Sequence, residues 1–255
     1  MITSDNYTEE NSRTIDGWVK NGWIWSKPVT HEEYLRAKEG KYTILLTPTV
    51  PVPEEWIGQV KGKRVLLLAS GGGQQGPVFQ ALGADVTVLD YSQAQLNRDM
   101  EVAEREGYDI TLIRADMTKP LPFEDGSFDM IFNPVSTCYI EEVGSLWKEC
   151  ARIMKKGGVL MTGIDNGINY IVEGEGETQI AHSLPYNPLK DPSLMEELKK
   201  ADAGVQFSHS LSDNLHPLLK SGFTLADIFE DTNGEGRLHE MNIPTFIAMR
   251  FVKLR

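Results

Sequence analysis

Residues 64–90 read RVLLLASGGGQQGPVFQALGADVTVLD, a run that passes from apolar to glycine-rich and, after a second mixed segment, back to apolar. The continuous apolar segment at its start is typical of a strand buried on both faces of a sheet. Gln75–Leu82 is predicted to be a helix that Gly83 ends, and Asp85–Asp90 to be a second strand. A strand, a helix and a strand in this order predict a parallel βαβ unit.

The same alternation continues to about residue 165. Further strands are predicted at Ile110–Ala115, Phe128–Asn133 and Val159–Ile164, with one helix after the capping pair Ser92 and Gln95 and another at about Glu141–Lys155. Such alternation requires a parallel sheet with helices on both faces. Two later strands, Phe223–Glu230 and Thr245–Val252, have no helical pattern between them, and we therefore expect them to pair antiparallel.

Two segments flank or interrupt this pattern. Residues 1–60 contain an aromatic stretch from Trp18 to Trp25, a short helix and an extended proline-rich connector, and we expect them to form an N-terminal cover. Residues 61–255 form the main domain. Within it, the alternation of strands and helices stops at residues 166–210, which contain several glycines and prolines. We interpret these residues as an insertion on the substrate side of the sheet.

Composition excludes several classes of protein. Acidic residues outnumber basic ones by 37 to 25, for a net charge of −12, which disfavours a nucleic-acid partner because phosphate binding depends on clustered Lys and Arg. The longest clear apolar run, Val65–Ala69, is far shorter than a membrane span. Cys138 and Cys150 form no disulfide framework, so the cytoplasm is the expected compartment. The five histidines show no metal-ligand spacing, and no metal site is predicted. The oligomeric state stays open.

The glycine-rich loop Ala69–Gly76 is the first candidate site. Glycines allow close approach to a ligand, and the N-terminus of the following helix favours a carboxylate or a phosphate. Asp90 is expected at the end of the second strand, where a carboxylate can accept hydrogen bonds from both hydroxyls of a ribose. The alternative is that Asp90 caps the next helix, although Ser92 is the better cap. Gly71, Gly73 and Gly76 followed by Asp90 also fit the dinucleotide fingerprint.

The motifs after the second strand distinguish between these two kinds of enzyme. Their order and spacing resemble those of the class I S-adenosylmethionine-dependent methyltransferases over residues 60–165. The resemblance rests on the glycine loop, Val88-Leu89-Asp90 with Tyr91 and Ser92, Ala115-Asp116-Met117, LPFEDGSFD at 121–129 and RIMKKGG at 152–158. It implies a doubly wound, Rossmann-like α/β fold with a seven-stranded sheet, mostly parallel with an antiparallel last strand, beside the N-terminal extension. GGGQQGP at 71–77 is similar to the loop of a bacterial subgroup of undefined substrate.

The resemblance also implies S-adenosyl-L-methionine as cofactor, S-adenosyl-L-homocysteine as product, and a role for each matching residue. Asp90 would bind the ribose, Tyr91 would flank the adenine, Asp116 would accept from the adenine amino group, and the Met117 amide would reach a ring nitrogen. Near the reacting methyl we expect Asn133 and Pro134. Ala69, Ser70, Gly71 and Gly73 occupy the glycine pattern of the family, with alanine in its first glycine place.

One residue departs from the family pattern. Leu67 stands where an acidic residue is often found, so the partner of the methionine amino group is expected elsewhere. Ser70, Gln74 or an N-terminal residue are the candidates.

The acceptor side is predicted only from segments that should surround it. The candidate pocket residues are Trp25, Tyr139, Asn166, Tyr170 and His209, each of which has packing or surface exposure as its alternative role. Trp18, Trp23 and Trp25 either cover the cofactor or pack the extension onto the domain. Cys138 is interpreted as a small buried thiol.

The sequence thus predicts an enzyme that transfers a methyl group from the sulfonium to a small-molecule acceptor by direct displacement. No residue is identified as a general base. The alternatives are a non-catalytic protein that binds the same cofactor and, from another class, an NAD-dependent oxidoreductase.

Overall fold

The computed structural model describes residues 2–173 and 176–254. Its strands are β1 (Arg64–Leu68), β2 (Asp85–Asp90), β3 (Thr111–Arg114), β4 (Phe128–Asn133), β5 (Met154–Asp165), β6 (Val172–Glu173), β7 (Gln179–Ile180), β8 (Phe223–Asp231) and β9 (Phe246–Lys253). Its helices are α1 (Tyr7–Lys20), α2 (His31–Lys38), α3 (Glu54–Ile57), α4 (Gln75–Ala81), α5 (Gln93–Glu106), α6 (Gly144–Ile153), α7 (Pro192–Ala201), α8 (Leu211–Lys220) and α9 (Gly236–Glu240). None of the helices in these residues combines the length and the apolar character that a membrane span needs.

The seven strands of the main sheet lie in the order β3-β2-β1-β4-β5-β9-β8. The first five of these strands are parallel, whereas β9 pairs antiparallel with both β5 and β8. The predicted doubly wound, mostly parallel α/β sheet is therefore confirmed. The strand order reverses between β1 and β4, which creates a crevice at their carboxyl ends.

The core lies on both faces of this sheet. Alternate residues of β1 point in opposite directions, so Leu66 and Leu68 join one apolar cluster while Val65 and Leu67 join the other. All four are fully buried, as the continuous apolar run predicts. The second cluster also contains residues that precede the sheet, among them Ile44, Leu46, Val52 and Trp56. Part of the N-terminal segment is thus built into the core of the sheet.

The structure corrects two expectations about the elements. The predicted helix at Glu141–Lys155 is shorter, and β5 begins directly after it at Met154 rather than at Val159. Lys155 belongs to this strand, where its Nζ lies 2.8 Å from Asp129 Oδ1. The segment between β8 and β9 contains the short α9, although the two strands pair antiparallel as predicted.

The sequence analysis also missed α1. The helix has no clear apolar face in the sequence, because two of its four buried residues are the polar Asn11 and Ser12. Both side chains are buried, and both form hydrogen bonds to distant parts of the chain. An amphipathic pattern therefore does not reveal the face that this helix packs inward.

Candidate active site

A cavity of about 470 Å³ opens at the sheet edge where the parallel strands end. Segments that follow β1, β2, β3 and β4 line it, together with Asp165 at the end of β5. Most of the residues predicted for the site come together here. They are Trp25, Ala69, Ser70, Gly71, Asp90, Tyr91, Asp116, Met117, Pro134, Tyr139 and Tyr170.

Gly73 and Asn133 do not line this cavity. The Gly73 N–H donates to a buried carboxylate behind the loop, and its carbonyl accepts from Val29. Asn133 is fully buried because its amide donates to the Leu68 carbonyl and to the Ser136 hydroxyl. Gly73 and Asn133 therefore form hydrogen bonds within the protein and do not contact the cavity.

Asn166 and His209, predicted for the acceptor pocket, also lie outside its lining. Asn166 Nδ2 donates to the Pro244 carbonyl, which ties the end of β5 to the start of β9. His209 Nε2 lies 2.9 Å from the Ile140 carbonyl oxygen, so the ring packs on the outside of the segment after β4. Burial lowers the pKa of this imidazole, and it stays neutral.

The turn after β1 needs an unusual backbone. Ala69 adopts φ of +47°, a left-handed conformation in which a Cβ is strained. A Cβ on Gly71 would lie 2.7 Å from that of Gln95, so the loop packs against α5 without space for a side chain. The turn therefore requires the glycine pattern, and it tolerates alanine in the first place at some cost in strain.

Asp99, on α5, holds the glycine loop in place by two hydrogen bonds. Its Oδ2 accepts from the N–H groups of Gly72 and Gly73 at 3.0 and 3.1 Å. Burial raises the pKa of this fully buried carboxyl to about 8. Because Asp99 already occupies these two amides, they are not free to cradle the pyrophosphate of a dinucleotide.

Asp90 ends β2 as predicted. Its Oδ2 accepts from the Gly71 N–H at 3.0 Å and its Oδ1 from the Ser92 N–H at 2.9 Å. The helix cap is supplied by Ser92, whose Oγ accepts from the Gln95 N–H. Burial raises the pKa of Asp90. The carboxylate is thus fixed by backbone donors and still faces the cavity.

Helix α1 closes the side of the cavity around Tyr91. The Tyr91 hydroxyl donates to Glu9 at 2.8 Å, and its carbonyl accepts from the Ser12 hydroxyl at 2.8 Å. One turn further on, Asp16 Oδ1 accepts from the Ser92 hydroxyl. Three residues of α1 thus hold the segment that follows β2.

Asp116 and Met117 follow β3. Asp116 Oδ1 accepts from the Thr118 N–H at 2.8 Å. Met117 is buried in the cluster beneath the cavity. Both residues line the cavity.

The three tryptophans of the extension differ in position: two line the cavity, and one packs the extension onto the rest of the chain. Trp23 and Trp25 line the cavity. Trp18 packs against Trp23 at 5.2 Å and Tyr139 at 6.4 Å between ring centroids, and its indole N–H donates to the Asp202 carbonyl. The cluster therefore joins the extension to the 166–210 insertion.

A second group of residues that line the cavity, which we call the acceptor end, comes from β5 and from the segments after β4 and β5: Cys138, Tyr139, Asp165, Asn169, Tyr170 and Gln206. Burial raises the pKa of the Cys138 thiol to about 12, so it stays protonated. The Tyr170 hydroxyl donates to Gln206 at 2.9 Å, and its ring stacks on Tyr186. Asp165 is 9% exposed, and burial raises its pKa to about 6.

Leu67 is fully buried in an apolar cluster, and its side chain offers no polar group to a cofactor amino group. Of the candidate substitutes, Gln74 donates to the Ile24 and Lys27 carbonyls. Ser70 contacts Gln75 within the loop. Both residues line the cavity.

One group of side chains has the geometry of metal ligands. Ligand atoms of Glu173, His182 and Glu197 lie within 4.8 Å of one another on the insertion, outside the cavity lining. A histidine paired with an exposed glutamate is also an ordinary surface ion pair.

Sequence reasoning missed Asp99 and Asp165. Asp99 stands on a helix face shared with Gln95 and Val102, and a charged residue in that pattern is normally interpreted as solvent-facing. Asp165 directly follows the apolar run of β5. Its place at the end of a parallel strand is the signal that could have identified it.

Comparisons with known proteins agree with this geometry. Residues 66–162 match the family model of a methyltransferase domain. Over 250 residues the chain is 38% identical to the uncharacterized methyltransferase YbaJ of Bacillus subtilis (strain 168), covering 96% of this chain and 97% of that protein.

Solved structures show the same fold. An S-adenosylmethionine-dependent methyltransferase from Mesorhizobium loti has a TM-score of 0.62 at 22% identity, over 78% of this chain and 94% of the other. The geranyl diphosphate C-methyltransferase of Streptomyces coelicolor A3(2), solved with Mg²⁺, geranyl diphosphate and S-adenosyl-L-homocysteine, has a TM-score of 0.55 at 18% identity, over 78% and 77%.

Proposed function

The chain belongs to the class I S-adenosylmethionine-dependent methyltransferases, and from this premise we propose that it transfers a methyl group to a small-molecule acceptor by direct displacement. The observation that carries the proposal is the cavity of about 470 Å³ at the sheet edge. It joins the motif residues Asp90 and Asp116 to an acceptor end of different composition.

The residues at the cofactor end fit S-adenosyl-L-methionine. Asp90 would accept from the ribose hydroxyls, Tyr91 would flank the adenine, and Asp116 with the Met117 amide would read its edge. Ala69, Ser70 and Gly71 would lie along the methionine part. When bound, the cofactor supplies a methyl group activated by the sulfonium, together with its leaving group.

The chain's own part in the reaction is to orient the acceptor and exclude water. We propose that residues 1–60 act as a cover, supported by the contacts of α1 with Tyr91 and by Trp23 and Trp25 in the cavity wall. The protonated Cys138 thiol takes no part as a nucleophile.

Two observations support a small acceptor. The cavity is lined by the extension, the sheet edge and Gln206 of the insertion, which encloses a metabolite better than a polymer. Among the described residues of its lining, none is Lys, Arg or His, so no basic groove for a nucleic acid is present there. Cys138 and Cys150 are free thiols, which supports the cytoplasm as the compartment.

The test supplies cofactor carrying a labelled methyl to a cell extract with the purified protein. Products are separated by size, and the donor peak is set aside. We expect the label chiefly in a low-mass product that is absent when the protein is omitted. Label chiefly in protein, RNA or DNA would contradict the proposal.

A further inference from the structure

The charged groups of the cavity all have the same sign. Among the described residues that line it, the charged side chains are Asp90, Asp116 and Asp165. Asp90 and Asp116 belong to the cofactor end and follow from the family motifs. Asp165 has no such assignment, and it is the one carboxylate of the acceptor end.

Neutral donors alone hold Asp165. Its Oδ1 accepts from the Gly167 N–H at 2.6 Å and its Oδ2 from Asn169 Nδ2 at 2.6 Å. No salt bridge is formed by Asp165 among the described residues. Each carboxylate oxygen keeps a further lone pair for a ligand.

A carboxylate in this position is costly without a cation. Burying a charge is unfavourable unless it is paired, and here burial raises the pKa to about 6, so the group is still mostly ionised at neutral pH. A positively charged ligand group would offset this unfavourable free energy by pairing with the carboxylate. An anionic ligand group would instead be repelled by Asp165.

The neighbouring side chains suit a cation as well. Tyr139 and Tyr170 line the same cavity as Asp165, and aromatic rings attract ammonium groups. Tyr170 is held in place by its stack on Tyr186, at 5.1 Å between ring centroids. A carboxylate and aromatic rings in one cavity both favour a charged amine as the ligand.

We propose that Asp165 binds a positively charged nitrogen of the methyl acceptor, so that the acceptor is a small, amine-bearing molecule. The inference rests on the proposed function and adds the class of substrate. The cofactor's own ammonium group is the competing occupant. In the sheet order, β4 separates β5 from β1, and adjacent strands lie about 4.8 Å apart, so Asp165 is about 10 Å across the sheet from the glycine loop.

The first experiment separates these occupants by calorimetry with S-adenosyl-L-homocysteine, which retains the ammonium group. We expect Asp165→Asn to bind it within about twofold of the wild type, since a twofold change is below about 0.5 kcal/mol. Thermal melting confirms that the variant is folded, and Asn169→Ala serves as a second variant that keeps the carboxylate. A loss of tenfold or more in Asp165→Asn alone would assign Asp165 to the cofactor and overturn the inference.

The second experiment identifies the product class. Cofactor with a deuterated methyl is supplied to a cell extract, and low-mass products that gain the label are found by mass spectrometry after cation exchange at about pH 2, where carboxyl groups are protonated and any amine is retained. We expect a retained, positively charged product, formed at least tenfold more slowly by Asp165→Asn and at the wild-type rate by the exposed control Asp85→Asn.

The outcomes distinguish the two proposals. A labelled low-mass product that is not retained by the exchanger would overturn the amine assignment and leave the proposed function standing. Label chiefly in macromolecules, or in no product, would overturn the proposed function and this inference with it.

Discussion

The two ends of the cavity are built in different ways. The cofactor end consists of short motifs, each placed directly after a parallel strand, and its carboxylate Asp90 is fixed by backbone N–H groups of Gly71 and Ser92. The acceptor end gathers single residues from segments after β4 and β5 and from the insertion. Its carboxylate Asp165 is held in part by a side chain, Asn169.

This difference shows what each end requires. A constant ligand can be bound by backbone geometry, and backbone geometry imposes glycines and strand-end residues at fixed spacing. A ligand that differs between relatives is bound by side chains on loops, which leave no fixed spacing. Predictions about the cofactor end therefore concern defined hydrogen bonds, whereas those about the cover and the acceptor end concern how segments are held together.

The largest expected effect is on stability at the cofactor end. Asp99 keeps its proton in the folded state up to a pKa of about 8, but in the unfolded chain only up to its ordinary value near pH 4. The folded state therefore binds more protons between these values, and the free energy of unfolding falls as pH rises through this window. At about 1.4 kcal/mol per pKa unit, the decrease is on the order of 5 kcal/mol.

The measurement compares urea unfolding of the wild type and Asp99→Asn from pH 5 to pH 9. The variant keeps an oxygen that accepts from Gly72 and Gly73 and has no proton to lose. We expect it to lack the decrease that Asp99 causes. Parallel curves for the two proteins would show that Asp99 titrates normally.

The next largest effect is on cofactor binding. In the proposed assignment Asp90 accepts two charge-assisted hydrogen bonds from the ribose hydroxyls, each about 1.5–3 kcal/mol, and Asp90→Ala would remove both. We expect affinity for S-adenosyl-L-homocysteine to fall about a hundredfold or more. Asp85→Ala, at the exposed start of the same strand, is the matched control for calorimetry and should bind normally. Equal affinity in both variants would remove Asp90 from the site.

A smaller effect is expected where α1 joins the insertion. Asn11 donates to the Val205 carbonyl at 2.9 Å and accepts from its N–H at 2.7 Å. Asn11→Ala leaves both backbone groups without partners, at a cost of about 2 kcal/mol in unfolding free energy. Hydrogen exchange near Val205 should speed up, while the exposed control Asn21→Ala leaves it unchanged. Unchanged exchange in Asn11→Ala would mean that this contact does not hold the cover.

The smallest effect tests the strain at the first place of the glycine pattern. Because Ala69 is left-handed, Ala69→Gly should raise the unfolding free energy by about 1 kcal/mol. The control Ala81→Gly, in helix α4, should lower it by about the same amount. Opposite signs in thermal melting support the strained turn, and a loss of stability in Ala69→Gly would contradict it.

The difference between the two ends of the cavity also explains which features the sequence predicts correctly. The helix cap Ser92 and the strand-end carboxylate Asp90 depend on local patterns, and the structure has them where the sequence predicts. Helix α1 could not be recognised, since Asn11 and Ser12 are buried by hydrogen bonds to residues 79 or more positions away.

Other features of the site depend on contacts that sequence patterns do not encode. Gly73 and Asn133 have the expected spacing, but their polar groups are taken by residues behind the cavity wall. Asp99 resembles a surface residue of a helix and is instead a buried support of the loop. Of the residues predicted for the acceptor pocket, Tyr139 and Tyr170 line the acceptor end, whereas Asn166 and His209 lie outside the lining because their polar groups bond to neighbouring backbone.

The central claim is that this glycine loop serves S-adenosylmethionine rather than a dinucleotide, although its spacing fits both. The most direct measurement is calorimetric titration of the wild-type protein with S-adenosyl-L-homocysteine and, separately, with NADH. We predict saturable binding of the first and none of the second, since Asp99 occupies the amides of Gly72 and Gly73 that a pyrophosphate would need. Tight binding of NADH, or no binding of S-adenosyl-L-homocysteine, would contradict the account.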